Sequence, residues 1–329
     1  MMRALPWICL AALAAAPLVG LGNYPLHMLI QVLLWGFVYT GWSIMGRLGL
    51  VSFGHGAFLG IGAYVVVMLW NAYGVSPWIG LPIALALTAV VAFVIGYPCF
   101  RFKIVGHYFA LVTLALSEIA RMLIVALRDH TGGSLGVTPK TALTESAYSL
   151  VALQFSSKLV WFYIVLAVWL GGLWVWKKMD RSMARLALEA ISQEEDAAGS
   201  IGINVTRLKL GVTLISALMT CVGGALYAQY QAYVNPDSVA GIGISLQMVF
   251  GVIAGGMYVR LGPTVGAAFT LLLAESLRLM FGNSLHALDS TIYGLMLVLF
   301  IIFMPKGILG GALEAVKGKK AASPDVQRA

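Results

Sequence analysis

Long apolar stretches alternate with short polar ones along almost the whole chain. Because a membrane-spanning helix needs roughly 17 to 25 mostly apolar residues, this pattern predicts an all-α, polytopic membrane protein with about ten transmembrane helices. One transmembrane domain is expected over residues 1–304, followed by a tail over residues 305–329. The predicted spans are residues 5–22, 26–45, 56–71, 78–100, 108–127, 159–176, 209–230, 243–259, 263–280 and 289–304.

Composition supports a lipid environment. The 329 residues are 60% hydrophobic and 10% charged, with a mean hydropathy of +0.90, whereas soluble domains are about 45 to 50% apolar and about 25% charged. The net charge of +8 is scattered between apolar runs, which argues against nucleic-acid binding. Cys9, Cys99 and Cys221 lie far apart within apolar stretches, so we expect small buried side chains and no metal site.

Basic residues fall mainly on one side of the predicted membrane. With the N-terminus inside, all but five of the 21 lysines and arginines are cytoplasmic, and the exceptions are Arg121, Arg128, Lys140, Lys158 and Arg278. Both termini are therefore predicted to be cytoplasmic, since short positively charged loops stay inside. Residues 1–22 are also typical of a cleavable secretory signal, and removing them would leave the other orientations unchanged.

Two connections are too long to be simple turns. The external loop, residues 128–158, contains a glycine-rich segment at 131–136 that either contacts another molecule or is an ordinary solvated loop. The inner loop, residues 177–208, predicts one short helix that ends near Gly199, with Leu188, Ile191, Glu195 and Ala198 on a shared face. This face either docks into a groove of another protein or belongs to an ordinary surface helix.

Charged residues inside two spans suggest an internal repeat. A shift of 157 positions aligns residues 109–123 with 266–280 and pairs Glu118 with Glu275 and Arg121 with Arg278. Both spans run outward in the predicted topology, so the repeat would be a parallel one. The two carboxylates either line a translocation path or form structural ion pairs with the arginine three residues on, and their position near the outer helix ends favours the structural interpretation.

The glycine-rich segment 46–62 is the other candidate for a path. Six glycines make a poor continuous helix, and irregular backbone at membrane depth is tolerated only beside protein or a water-filled cavity. Ser52, Gly54 and His55 would then face such a cavity. The alternative is close helix packing, with Gly56-x-x-x-Gly60 as the seam.

Four motifs resemble those of the LivH/LivM family of branched-chain amino-acid permeases, and they occur in the same order. They are GLVSFGHGAFLGIGAY at 49–64, YFALVTLA at 108–115, Glu189-Ala190 followed by GINVTRLKL at 202–210, and FMPKGILG at 303–310. The third resembles the cytoplasmic coupling loop that contacts the ATP-hydrolysing subunits. Ser192 and Gln193 depart from the usual basic-acidic pair of that loop, which affects its polar contacts.

The resemblance implies a non-catalytic subunit of an ATP-driven importer in a bacterial inner membrane. Its implied partners are a second, LivH-like permease, two ATP-binding subunits and an external substrate-binding protein. No phosphate-binding loop motif occurs in the sequence, so ATP and Mg²⁺ would bind the partner subunits and this chain needs no cofactor. The implied docking residues are Glu189, Ala190, Ile191, Glu194, Glu195, Ala198, Gly202 and Ile203.

Leucine, isoleucine and valine are the substrates that the resemblance implies, although similar permeases take urea, short amides or aromatic acids. Two other classes of function stay open on the sequence alone, a stand-alone carrier or channel and an intramembrane enzyme. An enzyme should place a convergent group of His, Asp or Glu in its spans, and only Glu118 and Glu275 qualify.

Overall fold

The computed structural model describes residues 13–20, 22–47, 49–104, 106–142, 148–281, 288–303 and 307–312. Half of the first predicted span and most of the predicted tail lie outside these residues. The described part is helical except for turns and one short antiparallel hairpin, in which β1 (Tyr148–Ser149) pairs with β2 (Gln154–Phe155).

The helices follow each other with short connections. In chain order they are α1 (Asn23–Gly46), α2 (His55–Tyr73), α3 (Pro77–Arg101), α4 (Gly106–Ala126), α5 (Arg128–Thr131), α6 (Lys158–Asp180), α7 (Met183–Gln193), α8 (Glu195–Ser200), α9 (Val205–Gln231), α10 (Pro236–Val239), α11 (Ile242–Gly255), α12 (Gly262–Phe281) and α13 (Leu288–Phe303).

Seven segments of the described residues are long and apolar enough to cross a membrane, which identifies a multi-pass membrane protein. They are α1, α2, α3, α4, α6, α9 and the stretch Pro236–Gly255, which joins α10 and α11. Two further predicted spans coincide with α12 and α13. Every predicted span after the first therefore overlaps a helix whose ends differ by a few residues.

Helix α1 lies at the centre of the described structure. It packs against α6, α9, α12 and α11, and most of its side chains are buried, including the aromatic residues Trp35, Tyr39 and Trp42. Helix α9 packs along α1, α2 and α3. A β-carbon added at Gly62 would lie 2.0 Å from the carbonyl oxygen of Cys221, so α2 and α9 touch backbone to backbone.

Helix α3 has one buried face and one exposed apolar face. Small residues recur every fourth position on its buried face, at Gly80, Ala84, Thr88, Ala92 and Gly96. Because residues four apart share a helix face, this stripe packs continuously against α2 and α9. The opposite face exposes large apolar side chains, which are Trp78, Ile79, Ile83, Leu87, Val90, Phe93, Val94 and Tyr97.

The described parts of the external loop, residues 128–142 and 148–158, pack against the helices. Val137 forms a β-bridge with Val234, and Trp78 Nε1 donates a hydrogen bond to the Leu150 carbonyl oxygen at 2.7 Å. At Gly136, where φ is +78°, an added β-carbon would lie 2.3 Å from the Val234 carbonyl oxygen. The glycine-rich segment therefore packs tightly onto the chain that leaves α9.

The packing of the helices contradicts the parallel repeat. Under the 157-residue shift α2 and α3 would correspond to α9 and α11, but α2 packs closely on α3 while α9 barely touches α11. The contacts agree when α1–α4 are matched with α9 and α11–α13. In that order α2 on α3 corresponds to α11 on α12, and α3 on α9 corresponds to α12 on α1. In the predicted topology α1 and α9 run in opposite directions, so this correspondence would be an inverted repeat.

Candidate functional site

The inner loop folds as two helices, α7 and α8, and the single predicted helix is wrong. The backbone at Glu194 is extended, with φ −150° and ψ 105°, so the chain turns between them. Helix α7 buries Leu188 and Ile191, and α8 buries Ala198. We call residues 181–204, which carry both helices, the coupling segment.

Ion pairs hold α7 to the ends of α1 and α6. One Asp180 carboxylate oxygen lies 3.2 Å from the Arg47 guanidinium and 3.1 Å from the Arg185 guanidinium, so it forms an ion pair with each. Arg185 also donates to Glu189 at 2.7 Å, and this bond raises the pKa of Arg185. The Arg47 guanidinium lies 4.2 Å from the centroid of the Trp176 ring, and burial lowers its pKa. Helix α7 is therefore fixed by a charged network at one end of the coupling segment.

A second set of ion pairs holds α8. Lys209 at the start of α9 donates to Glu195 at 2.5 Å, and its side chain is only 6% exposed. Lys103, which follows α3, donates to Asp196 at 2.6 Å in a solvent-exposed pair. That hydrogen bond lowers the pKa of Asp196 and raises the pKa of Lys103. Two adjacent acids thus tie α8 to two different membrane helices.

The predicted docking residues differ in their surroundings: some form ion pairs within the chain, some are buried or half-buried, and some are exposed. Glu189 and Glu195 are held in internal ion pairs, while Ile191 and Ala198 are buried in the chain's own core. Ala190 and Ile203 are half-buried. Glu194 and Gly202 are exposed. The face that sequence reasoning assigned to docking therefore packs inward.

Three large apolar side chains of the coupling segment point away from the protein instead. Met183 is 81% exposed, Leu186 60% and Ile201 77%. Met183 and Leu186 lie three residues apart on α7 and share one face, roughly opposite the buried Leu188 and Ile191. Their spacing was visible in the sequence, but the buried pair has the same chemistry, and only the fold separates the two faces. We call Met183, Leu186 and Ile201 the apolar patch.

The polar residues of the glycine-rich segment are enclosed between helices. His55 is fully buried at the start of α2, and its Nε2 lies 2.7 Å from Ser216 Oγ on α9. The Ser216 hydroxyl donates to the Gly41 carbonyl oxygen at 2.7 Å. Ser52 Oγ accepts from the backbone N–H of Gly54 at 3.1 Å. This network joins α1, α2 and α9.

Gly56 lies where α2, α4 and α11 meet. Its backbone N–H donates to Ser245 Oγ at 3.0 Å, and Ser245 Oγ lies 3.1 Å from Ser117 Oγ on α4. A β-carbon at Gly56 would lie 2.6 Å from Ser117 Oγ, and one at Gly60 would lie 3.1 Å from the Ala240 β-carbon. Gly56 therefore packs closely against α4, and Gly60, one turn later, packs against Ala240.

The intramembrane carboxylates both form ion pairs. Arg121 donates through two nitrogens to one Glu118 oxygen, at 2.6 and 2.9 Å, and reaches Asp237 at 3.4 Å. These contacts join α4 to α10.

In α12, Glu275 accepts from the Tyr24 hydroxyl at 2.7 Å and lies 3.6 Å from Arg278. Each acid thus lies within ion-pair distance of the arginine three residues on, and its part in a translocation path stays a prediction. Among the described residues no three His, Cys, Asp or Glu side chains come together as a metal site would require.

Residues 24–302 match the family model described as "Branched-chain amino acid transport system / permease component". No solved structure is significantly similar.

Three proteins with known names are similar to this chain, two from bacteria and one from an archaeon. The "High-affinity branched-chain amino acid transport system permease protein LivM" of Escherichia coli (strain K12) is 30% identical over 86% of this chain and 69% of its own. The protein of the same name from Salmonella typhimurium is 30% identical over 81% of this chain and 65% of its own. This chain thus spans about two thirds of those proteins.

The third is a "Probable branched-chain amino acid transport permease protein LivH" of Methanocaldococcus jannaschii, 23% identical over 83% of this chain and 90% of its own. The helical architecture, the family match and the LivM relatives agree. The chain belongs to the LivH/LivM-type family of branched-chain amino acid transport permeases.

Proposed function

We propose that this chain is a transmembrane permease subunit of an ATP-driven importer for branched-chain amino acids in a bacterial inner membrane. It would form the translocation path with a second, LivH-like permease. Two ATP-binding subunits and an external substrate-binding protein would complete the complex. The LivM relatives, whose names state branched-chain amino acid transport, support this assignment of substrate class.

The apolar patch is the observation that carries the proposal. A loop that only connected two spans would not need to present Met183, Leu186 and Ile201 to solvent. The ion pairs around Asp180 and between Glu195 and Lys209 fix the coupling segment, which carries this patch, to α1, α6 and α9. A docked ATP-binding subunit that closes or opens could therefore push on α6 and α9 through the coupling segment.

The intramembrane polar residues have a smaller part in this proposal. Glu118 and Glu275 would stabilise the helices as ion pairs, and Ser52, Gly54 and His55 would fix the junction of α1, α2 and α9. The path itself would lie between the two permeases, where the exposed apolar face of α4 is available for a partner.

Substitution of Leu186 by glutamate tests the docking step. The patch would lose an apolar contact worth about 1.5 to 3 kcal/mol and gain a charge that must be desolvated. We expect co-purification of the ATP-binding subunits with the Leu186→Glu chain to fall at least about tenfold. Leu135→Glu is the matched control, since Leu135 is 82% exposed in the external loop, beyond the reach of a cytoplasmic subunit.

Equal co-purification with Leu186→Glu and Leu135→Glu would remove the docking role. Reconstitution with and without the ATP-binding subunits tests the class of function separately. Solute uptake by this chain alone would identify a stand-alone carrier or channel. Uptake of urea, a short amide or an aromatic acid in preference to leucine by the complete complex would overturn the substrate class but keep the importer.

A further inference from the structure

A surface groove lies between α3 and α9, where α3 ends and α9 begins. It has a volume of about 380 Å³ and is lined by Phe93, Tyr97 and Arg101 of α3 and by Asn204, Arg207 and Leu210 around the start of α9. Two cations thus lie at one end of the groove and two aromatic rings lie at the other. We call it the α3–α9 groove.

The two arginines of the groove have no acidic partner among the described residues. Glu195 and Asp196, which line a cavity that shares Arg101, are already bound to Lys209 and Lys103. Arg101 and Arg207 form no ion pair within the described ranges, and both are exposed. An arginine pair left without carboxylates suits an anion with oxygen atoms, such as a phosphate group.

The other end of the groove continues onto the lipid-facing side of α3. The rings of Phe93 and Tyr97 are stacked, with centroids 5.4 Å apart, and are 48% and 43% exposed. They end the exposed apolar face of α3 that begins at Trp78. A ligand that fills the groove would therefore meet hydrocarbon-like surface on one side and two guanidinium groups on the other.

A neighbouring cavity differs from this groove in its charge. That cavity, of about 430 Å³, shares Arg101 but is also lined by Lys103, Glu195 and Asp196, so its two cations are balanced by two acids. The α3–α9 groove has Arg101 and Arg207 and no acidic side chain in its lining, so it attracts a phosphate more strongly. An anion is thus favoured on the side of Arg101 that faces Arg207.

We propose that the α3–α9 groove binds an anionic phospholipid. Its phosphate would lie between Arg101 and Arg207, and an acyl chain would lie against Phe93 and Tyr97. Such pockets between membrane helices are where acidic headgroups bind. The bound lipid would fasten the first turn of α9 to the membrane surface, directly after the coupling segment. This site does not depend on the substrate of the protein.

Lipid retention by the purified full-length chain tests the site. The chain in detergent is titrated with dioleoylphosphatidylglycerol or dioleoylphosphatidylcholine, and bound lipid is counted by native mass spectrometry. We expect the wild type to prefer phosphatidylglycerol, and the Arg101→Gln/Arg207→Gln variant to bind it about tenfold more weakly or worse, because two charge-assisted contacts are lost. Arg207→Lys, which keeps the charge, should retain part of the preference.

Arg260→Gln is the matched control, because Arg260 is another exposed arginine without an ion pair among the described residues, in the turn between α11 and α12. It should leave phosphatidylglycerol binding unchanged. Equal lipid preference in the double variant and the wild type, or an equal loss in Arg260→Gln, overturns the proposal. Displacement of the lipid by millimolar inorganic phosphate would identify a site for soluble anions instead.

A fourth outcome concerns the ATP-binding subunits, which could cover the same arginines. If the double variant keeps its lipid preference but loses those subunits during purification, the groove belongs to that partner and the lipid proposal is wrong. Arg207→Lys keeps the test decisive if the double variant fails to fold, because it changes the geometry of the phosphate contact without removing the charge.

Discussion

Gly62 is the position where the closest helix contact depends on the absence of a side chain. A β-carbon there would overlap the carbonyl oxygen of Cys221 on α9, at 2.0 Å, and that atom belongs to the backbone of a buried helix. Substitution Gly62→Ala therefore forces α2 and α9 apart. We expect a loss of about 1 to 3 kcal/mol in the free energy of unfolding, as for overpacked cores, measured from thermal unfolding in detergent.

The control for this substitution is Gly171→Ala in the middle of α6. An added β-carbon at Gly171 meets no atom within 4 Å, so the change should stabilise the helix by up to about 1 kcal/mol through helix propensity. If Gly62→Ala is as stable as the wild type, the α2–α9 contact is looser than the structure shows. The sequence placed a packing seam near Gly56 and Gly60, but Gly62 has its own contact on α9, which no local pattern revealed.

Buried polar groups show the same limit of sequence reasoning. The pattern predicted that Ser52 and His55 would face a cavity, with close helix packing as the alternative, and both side chains are buried. It could not identify Ser216 as the partner of His55, because that residue is 161 positions away on another helix. Glu118 with Arg121 was easier to predict, since residues three apart on one helix meet without any tertiary information.

Helix α8 provides a direct comparison of a buried and an exposed ion pair. Glu195 binds the buried Lys209, while the next residue, Asp196, binds the exposed Lys103. Removing the acid from a buried pair leaves a charge without compensation. We expect Glu195→Gln to lower the free energy of unfolding by about 3 kcal/mol and Asp196→Asn to change it little, by thermal unfolding in detergent.

The double variant Glu195→Gln/Lys209→Met separates charge from packing. Replacing both members of a buried pair by uncharged groups is often neutral, so it should recover most of the loss seen with Glu195→Gln. Equal stability of Glu195→Gln and Asp196→Asn would show that Lys209 is solvated and that α8 is not anchored through it. If Glu195→Gln loses the ATP-binding subunits during purification and the double variant keeps them, the Glu195–Lys209 ion pair also supports docking by the coupling segment.

The extents of the membrane helices could be predicted because hydrocarbon enforces them. Backbone groups in a bilayer must be satisfied within the helix, so apolar length and helix length coincide. No such constraint acts on the coupling segment. Its break at Glu194 accompanies ion pairs to Lys103 and Lys209, which come from two other parts of the chain. The parallel repeat failed for a related reason, since a short match of Glu and Arg does not specify which helices pack together.

The orientation of the whole chain across the membrane can be tested at two exposed positions. Leu135 in the external loop is 82% exposed, and Ile201 in the coupling segment is 77% exposed. The asymmetry of lysine and arginine places Leu135 outside and Ile201 inside. In intact cells a membrane-impermeant maleimide should therefore label Leu135→Cys and spare Ile201→Cys, and permeabilisation should make both react.

The native cysteines help this experiment because Cys99 and Cys221 are buried, at 3% and 0% exposure, and should react slowly. Cys9 lies outside the described residues and is replaced by serine in every variant. Labelling of Ile201→Cys but not Leu135→Cys in intact cells would invert the topology. The apolar patch would then face away from any ATP-binding subunit, so this single result would also refute the docking role of α7.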